Sequence, residues 1–285
     1  MGQLRKRMEE DLVLRGLRKG TRDVYLSCAR QFAAYHRKSP TEMGREEIRR
    51  YLLHLIDERE LRASSIGVHI GALKFLYAVT LERPDEVARV AYPKRRQRVP
   101  EPLTRAEVEQ LLSGVYRIKH RVAILLAYSA GLRVSELCGL QVSDIDSKQM
   151  RIRVRDGKRG RDRYTLLSAR VLAVLRDYYR SQRPAPPFLF PSRSPGRPMA
   201  TKDFGRVVRR AARRSGLAKA VSPHVLRHSF ATQLLDDGCD LVTLQHLLGH
   251  SSLRSTMRYV HASTARLERV VNPADRIAAL GLPSL

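Results

Sequence analysis

The sequence predicts a mainly helical protein of the α+β class, with two domains and a small antiparallel β-sheet in the second. Apolar side chains recur at helical spacing through residues 10–90. A basic stretch between prolines at 93–100 interrupts that pattern, because proline disfavours helix. Beyond it, residues 150–154 alternate apolar side chains with arginines, as a half-buried strand does. The predicted divisions are a helical domain at 1–91, a linker at 92–101 and a larger domain at 102–285.

The first domain is expected to contain about four helices. Apolar residues repeat every three or four positions over 21–35, 43–59 and 64–77, after a leucine-rich opening segment. Pro40 and Pro84 stand where the repeats stop, as they do at helix ends. Amphipathic helices that share one apolar core are therefore predicted.

The second domain is expected to begin with a helix at Thr104. Thr104 and Glu107 have the spacing of a capping box, in which each side chain binds the other residue's backbone N–H. After the strand at 150–154, an Asp-Gly turn leads to a return strand at 163–167, and helices follow. The sheet is therefore predicted to be a hairpin within a helical domain.

The net charge favours a polyanionic partner. The 285 residues include 54 Lys and Arg against 28 Asp and Glu, a net charge of +26, and such an excess is typical of proteins that bind nucleic acid. A solubilising arginine-rich surface is the alternative, and membrane-surface binding is less favoured because Trp is absent. Three widely spaced cysteines argue against a disulfide framework or a cysteine zinc site. Neither a signal peptide nor an apolar run near the ~18 residues of a membrane span is expected.

Five polar motifs follow one another in the second domain. Taken alone, each motif is weak evidence for a function. The His224/His228 and His246/His250 pairs have metal-ligand spacing but lack the glutamate of HExxH, so no metal site is predicted. Together the motifs form an ordered set: AGLRVSEL at 130–137, GKRGRDR at 157–163, HVLRHSFAT at 224–232, LGHSS at 248–252 and TMRY at 256–259.

This set resembles the tyrosine recombinase (phage integrase) family, in particular its simple Xer-like members. Motifs carry the resemblance over residues 101–275, whereas the first domain is similar to the family's core-binding domain by pattern alone. The resemblance implies a two-domain, C-shaped clamp around DNA. It also implies a site-specific recombinase that cleaves and rejoins DNA through a 3′-phosphotyrosyl intermediate. Strand exchange would pass through a Holliday junction without ATP, metal or cofactor.

The resemblance assigns the phosphate to two arginines. Arg133 and Arg227 would hold the non-bridging oxygens of the scissile phosphate, which suits guanidinium because it donates two parallel hydrogen bonds and stays charged. Both would stabilise the negative charge of the transition state. Glu136, three residues after Arg133, would orient this site without touching the substrate.

The proton transfers are assigned in the same way. Tyr259 would be the nucleophile, and a phenol with a pKa near ~10 needs a base or a strong positive field to attack at neutral pH. His224 is the candidate base and His250 a hydrogen-bond donor to the phosphate. Lys158, on the hairpin, would protonate the departing 5′ oxygen.

Two features depart from the family pattern. The hairpin reads Gly-Lys-Arg-Gly-Arg at 157–161, where the family often has a small residue after the lysine and a second lysine further on. The arm-binding domain that precedes the helical domain in many phage integrases is not expected here. In addition, no long insertion separates Lys158 from His224, which argues against an integron-type integrase.

Nine further residues are predicted to contact DNA. The linker would follow the backbone, the helix at 64–77 would read bases, and the arginine-rich face of a helix at 204–214 would bind phosphates. An ordinary solvated face is the alternative for that helix. The predicted contacts are Ser65, His69, Lys74, Lys94, Arg95, Arg96, Arg206, Arg210 and Arg213.

The resemblance also implies an assembly. The segment at 265–280 resembles a C-terminal helix that docks into a neighbouring protomer, so that four protomers would act on two double-stranded DNA sites. A helix that packs on its own domain is the alternative. A second recombinase or an accessory protein is a further candidate partner. The expected location is the bacterial cytoplasm, at the nucleoid.

Two other functions stay open on the sequence alone. A type IB topoisomerase-like enzyme would share the chemistry but reseal DNA without exchange, and the C-terminal segment argues against it. A catalytically inactive DNA-binding regulator would keep the fold, and the filled catalytic positions argue against that. An RNA-binding function has little support, because neither RRM-type aromatics nor a KH-type loop is evident.

Overall fold

The computed structural model describes residues 2–93, 101–155, 162–194, 196–250, 252–257 and 259. The chain divides into two units, Met1–Arg98 and Val99–Leu285. The predicted linker at 92–101 spans this division. Its basic residues Lys94, Arg95 and Arg96 lie outside the described residues.

The first unit is helical, as predicted. Its helices are α1 (Gly2–Leu14), α2 (Lys19–His36), α3 (Arg45–Asp57), α4 (Ala63–Phe75) and the short α5 (Asp85–Ala88), with a 3₁₀ turn at Pro40–Glu42 and a π-helical turn at Leu76–Thr80. The rings of Tyr51 and Tyr77 pack edge-on against Phe32, at centroid distances of 5.3 and 6.2 Å. All three side chains are buried, so the core lies where the apolar faces of α2, α3 and the π-helical turn after α4 meet.

One helical stretch of this unit is rich in apolar side chains. Among the described residues, Ala63–Thr80 is long and apolar enough to cross a membrane by length and composition. Half of this stretch is buried in the protein, with Ile70, Leu73 and Tyr77 in the core. A core helix meets the same two criteria, and the packing of these residues accounts for the apolar composition.

The second unit is a helical body with one small sheet. Its helices are α6 (Arg105–Ser113), α7 (Ile118–Ser129), α8 (Val134–Gly139), α9 (Ala169–Gln182), α10 (Thr201–Arg214), α11 (Pro223–Asp236), α12 (Leu241–Leu248) and α13 (Leu253–Met257). The predicted capping box opens α6: the Thr104 N–H donates to Glu107 Oε2 at 2.8 Å, and the Glu107 N–H donates to Thr104 Oγ1 at 3.2 Å. The cap fixes where helix α6 begins.

The sheet is antiparallel and contains the predicted hairpin. Its strands are β1 (Ile145–Asp146), β2 (Arg151–Val154) and β3 (Arg163–Leu166), in the order β1-β2-β3. Ile152 pairs with Ile145 on one side and Thr165 on the other. Ile152 and Val154 are buried, which confirms the predicted apolar face. The two-residue β1 was not predicted, because a strand of that length carries no alternation.

Candidate active site

Arg133 begins helix α8 and is fixed there by Glu136. The Glu136 carboxylate lies one turn into the helix, where it accepts the Arg133 backbone N–H at 2.8 Å. Its other oxygen accepts a hydrogen bond from Arg133 Nη1 at 2.7 Å. Glu136 both caps the helix and binds the Arg133 guanidinium. The i, i+3 spacing therefore fixes the position of the backbone and of the side chain of Arg133. This is the contact that the predicted orienting role of Glu136 requires.

Arg227 is a buried arginine on helix α11. Its side chain donates to the Gly131 carbonyl through Nη1 and to the Leu248 carbonyl through Nη2, both at 2.6 Å. Nη1 also lies 3.7 Å from Glu136 Oε2, so Arg133 and Arg227 share one carboxylate. Only 4% of Arg227 is exposed, and this burial, with the neighbouring charge of Arg133, lowers its pKa to about 10. The guanidinium therefore stays charged at neutral pH.

The position of Gly131 in the first motif requires a glycine. Its φ is +58°, and a Cβ at this position would lie 2.3 Å from Phe230 Cδ1. Glycine is therefore required both by the left-handed turn and by the close approach of α11. The turn also points the Gly131 carbonyl at Arg227, which places the two predicted arginines on the same site.

The segment 247–250 closes the site from the end of α12. Gly249 ends the helix with φ +60°, and its carbonyl accepts a hydrogen bond from Arg133 Nη2 at 3.1 Å. His250 Nε2 lies 3.1 Å from Arg227 Nη2, and its Nδ1 lies 2.9 Å from Thr256 Oγ1. An arginine can only donate, so Nε2 accepts here and the Nδ1–H donates to the threonine hydroxyl.

Tyr259 is close to His250 but buried. Its ring stacks on that of His250 at 6.0 Å with an interplanar angle of 13°, and lies 5.0 Å from the ring of His228. Only 5% of Tyr259 is exposed, and it belongs to an apolar cluster with Leu235 and Leu248. The ring of Tyr259 is thus buried among apolar side chains and the rings of His228 and His250.

Arg163 completes the site and was not predicted from the sequence. It is the first residue of β3, and it donates from Nη1 and Nη2 to the two oxygens of Glu136, both at 2.8 Å. Its Nε donates to the Leu247 carbonyl at 3.0 Å. The sequence signal is an arginine at the start of the return strand, which is weak because so many arginines surround it.

The carboxyl group of Glu136 has a strongly lowered pKa in this environment. Its side chain is only 9% exposed, and burial by itself opposes ionisation. The hydrogen bonds and charges of Arg163 and Arg133 outweigh that burial and lower the pKa of Glu136 to about 2. The site therefore contains one permanent negative charge among three guanidiniums.

Two predicted catalytic residues are not part of this hydrogen-bonded group. His224 lies in the first turn of α11, one turn before Arg227, and its side chain is exposed. Lys158 lies outside the described residues, as does the rest of the segment 156–161. Among the described residues, no group of three or more His, Cys, Asp and Glu side chains could hold a metal ion.

The predicted DNA contacts of the first unit differ in their exposure to solvent. Ser65 is exposed on α4, whereas His69 is buried and only 7% exposed. His69 Nδ1 is hydrogen-bonded to the hydroxyl of Tyr51 at 3.2 Å, so its expected role in reading DNA is corrected to a core role. Lys74 is half-buried, with Nζ 5.2 Å from the ring centre of Tyr92.

The predicted basic face of α10 is present. Arg206, Arg210 and Arg213 are all exposed, whereas Phe204 and Val208 on the opposite side are fully buried. Arg206 also pairs with Asp203 one turn earlier, at the start of the helix. The helix therefore packs through its apolar stripe and presents its arginines to solvent.

Comparisons with known proteins show the family to which the chain belongs. Residues 101–266 match the model of the phage integrase family, and residues 4–86 match that of a phage integrase N-terminal SAM-like domain. A putative integrase/recombinase, y4qK of Sinorhizobium fredii, is 41% identical over 278 residues, which cover 96% of this chain and 89% of the relative. Tyrosine recombinase XerC of Pelobacter propionicus is 34% identical, with 91% and 90% covered. A crystal structure of a lambda integrase dimer bound to a COC′ core site shares the fold, with a TM-score of 0.73 at 22% identity, covering 95% of this chain and 79% of that one.

The chain belongs to the phage integrase family. Within it, the chain is a tyrosine-type site-specific recombinase of the Xer-like kind, which confirms the family resemblance and the enzyme class predicted from the motifs. The phosphotyrosyl mechanism is general for this family.

Proposed function

We propose that this recombinase cleaves one strand of double-stranded DNA at a time, with Tyr259 as nucleophile and Arg133 and Arg227 as the phosphate-binding pair. The observation that carries the proposal is the sharing of Glu136 by the two guanidiniums, at 2.7 and 3.7 Å, with His250 bonded to Arg227 and stacked on Tyr259. Four residues from four separate motifs thus converge on one carboxylate and one aromatic stack.

The arginine pair supplies the electrostatic part of the reaction. Two guanidiniums held by backbone carbonyls are oriented before the substrate arrives, and fixed donors cost no reorganisation when negative charge develops on the phosphate oxygens. Arg133, with its side chain about a third exposed, is the more accessible of the two. The pair supplies charge compensation from the protein itself, so the proposed cycle uses no cofactor.

The covalent step is a displacement at phosphorus. The phenolic oxygen of Tyr259 bonds to the scissile phosphorus as the bond from phosphorus to the 5′ oxygen breaks. His224 accepts the phenolic proton and Lys158 gives a proton to the departing 5′ oxygen. The products are a 3′-phosphotyrosyl link and a free 5′-hydroxyl, and attack by another 5′-hydroxyl reverses the step and joins a new partner strand.

Two contacts of the site have to change for this step. Tyr259 is 5% exposed, so it must leave its apolar cluster to reach a phosphate. His250 Nε2 now accepts from Arg227, so its proposed donation to the phosphate requires protonation or a tautomer change. We expect both changes to accompany DNA binding.

Binding of specific double-stranded DNA is proposed to involve both domains, 1–91 and 102–285, and the linker at 92–101. Ser65 on α4 and the arginines of α10 are exposed and basic or polar, which supports their proposed contacts with bases and phosphates. The linker's Lys94, Arg95 and Arg96 would add phosphate contacts and a steep salt dependence.

Assembly and location are proposed from the family. The lambda integrase relative is a dimer on its core site. Strand exchange between two sites would take four protomers, a Holliday junction and the C-terminal segment at 265–280, which lies outside the described residues. A cytoplasmic location fits an enzyme that acts on DNA.

Covalent trapping tests the proposal. A nicked suicide substrate made from DNA flanking the gene is incubated with wild type, Tyr259→Phe and the control Tyr179→Phe, whose exposed side chain on α9 is remote from the site residues in sequence. We expect a 3′-linked adduct on denaturing gels with wild type and the control only. An adduct that persists in Tyr259→Phe would refute the nucleophile assignment. Binding without any adduct would favour an inactive regulator.

A further inference from the structure

We infer that Arg163 is a positioning residue of the recombinase site, which aligns the two phosphate-binding arginines through Glu136 and the segment 247–250. The inference rests on the proposed function of Arg133 and Arg227. Arg163 itself has an 11% exposed side chain and is engaged on all three of its guanidinium nitrogens. It therefore acts through its neighbours.

The first contact fixes the plane of the Glu136 carboxylate. Arg163 donates from its two terminal nitrogens to the two oxygens at 2.8 Å, the fork geometry that holds both groups coplanar. With the plane fixed, Oε1 also receives Arg133 Nη1 at 2.7 Å, and Oε2 faces Arg227 Nη1 at 3.7 Å. The orientation of the acceptor thus sets where both phosphate-binding guanidiniums lie.

The second effect is electrostatic. Glu136 is ionised and buried, so on its own it would cancel the charge of one of the two phosphate-binding arginines. Arg163 balances that carboxylate and leaves two positive charges for the phosphate. In a buried site such a charge acts strongly, because little water screens it.

The third contact holds the segment 247–250. Arg163 Nε donates to the Leu247 carbonyl, and its side chain packs so closely on Gly249 that a Cβ there would lie 2.7 Å from Arg163 Cδ. The next two carbonyls of the same segment accept hydrogen bonds from Arg227 and Arg133. One side chain therefore contacts both Glu136 and the segment whose Leu248 and Gly249 carbonyls bind the arginine pair.

Arg163→Lys tests this role, because lysine keeps the charge but cannot form the bidentate contact. The matched control is Arg180→Lys, an exposed arginine on α9. We expect single-turnover cleavage of the suicide substrate to fall ~100-fold in Arg163→Lys, the effect of a small misplacement of catalytic groups. DNA affinity and the thermal midpoint should stay close to those of the control. Cleavage by Arg163→Lys at the control rate would overturn the inference.

A substrate with a neutral scissile phosphate distinguishes misaligned arginines from a general loss of structure in Arg163→Lys. In a methylphosphonate, a methyl group replaces one non-bridging oxygen and removes its negative charge. Cleavage of this substrate therefore depends less on the alignment of two guanidiniums. We expect the Arg163→Lys defect to shrink about tenfold on this substrate, consistent with the loss of one donor's contribution. An equal defect on both substrates would assign Arg163 to folding alone. Failure of wild type to form an adduct on either substrate would instead refute the proposed function.

A double variant provides the test if Arg163→Lys is unstable. If Arg163→Lys melts well below the control, Arg163→Met/Glu136→Gln removes both charges of the buried pair, a change that is often tolerated where loss of one partner is not. We expect this variant to fold, to cleave slowly and to regain cleavage on the methylphosphonate. Cleavage at the wild-type rate on the ordinary substrate would overturn the inference.

Discussion

The backbone amide of Leu103 donates a hydrogen bond of 2.8 Å to the hydroxyl of Ser229, which lies two residues beyond Arg227 on α11. One turn later on the same helix, Gln233 Nε2 donates to the Leu103 carbonyl at 2.8 Å, and another turn on, Asp237 pairs with Arg105 at 2.8 Å. The residues that follow the linker are therefore attached to the helix that carries Arg227.

Ser229→Ala is expected to destabilise the second unit. The buried Leu103 N–H loses its acceptor, and an unsatisfied buried donor costs about 1–3 kcal/mol. Urea unfolding measures the difference, with Ser113→Ala as the matched control, because the exposed Ser113 hydroxyl bonds only within its own helix. Equal midpoints for the two variants would contradict the assigned hydrogen bond.

Much of the site could be predicted because its residues come from short motifs with local causes. Arg133 and Glu136 are three residues apart on one helix, and Gly131 and Gly249 occupy left-handed turns that the sequence marks by glycine. Such signals depend on nearby residues only, which a single sequence displays in full. The helical pattern of the first unit was predictable for the same reason.

The remaining features depend on contacts between distant parts of the chain. Arg163 meets Glu136 across 27 positions through the sheet, and nothing local separates it from the neighbouring arginines. His69 was predicted to contact DNA from the helix at 64–77, yet Tyr51 on α3 provides a buried hydrogen-bond partner. A sequence pattern identifies a polar residue, whereas its burial is decided by a partner elsewhere in the fold.

Gly131→Ala is expected to cost more than a change at another glycine with positive φ. Alanine at Gly131 adds a clash 2.3 Å from Phe230 to the strain of φ +58°, so about 3 kcal/mol or more is expected. Gly216→Ala is the control, since φ is +70° there but no atom lies within 4 Å of the added Cβ, and about 1 kcal/mol is expected. Urea unfolding of both variants checks this. Equal losses would show that the backbone strain alone matters.

The first unit is expected to lose stability in mild acid through His69. Burial, with the nearby charge of Arg59, lowers the pKa of His69 in the folded protein. Below about pH 6.5 the unfolded chain protonates this residue first, so the free energy of unfolding falls as the pH drops, by up to about 1.4 kcal/mol per pH unit. Above pH 6.5 the contribution is constant.

Thermal midpoints at pH 5 and pH 7.5 measure this effect in wild type and His69→Gln. Glutamine cannot titrate, so the variant should show the smaller loss between the two values. His246→Gln, at an exposed histidine of the second unit, should leave the wild-type loss unchanged. A loss in His69→Gln as large as in wild type would assign the acid sensitivity to other groups.

Thr256 is expected to hold the ring of His250 in place. Arg227 Nη2 only donates, so His250 Nε2 accepts at 3.1 Å, and the ring proton lies on Nδ1, bonded to the buried Thr256 hydroxyl at 2.9 Å. Thr256→Val keeps the shape of the side chain but removes this acceptor. The ring then loses the contact that holds it between Arg227 and Tyr259, and single-turnover cleavage should fall about tenfold, the equivalent of one net hydrogen bond. Thr256→Ser keeps the hydroxyl and should cleave at close to the wild-type rate. If valine cleaves as fast as serine, the Thr256 hydroxyl has no part in orienting His250 for catalysis.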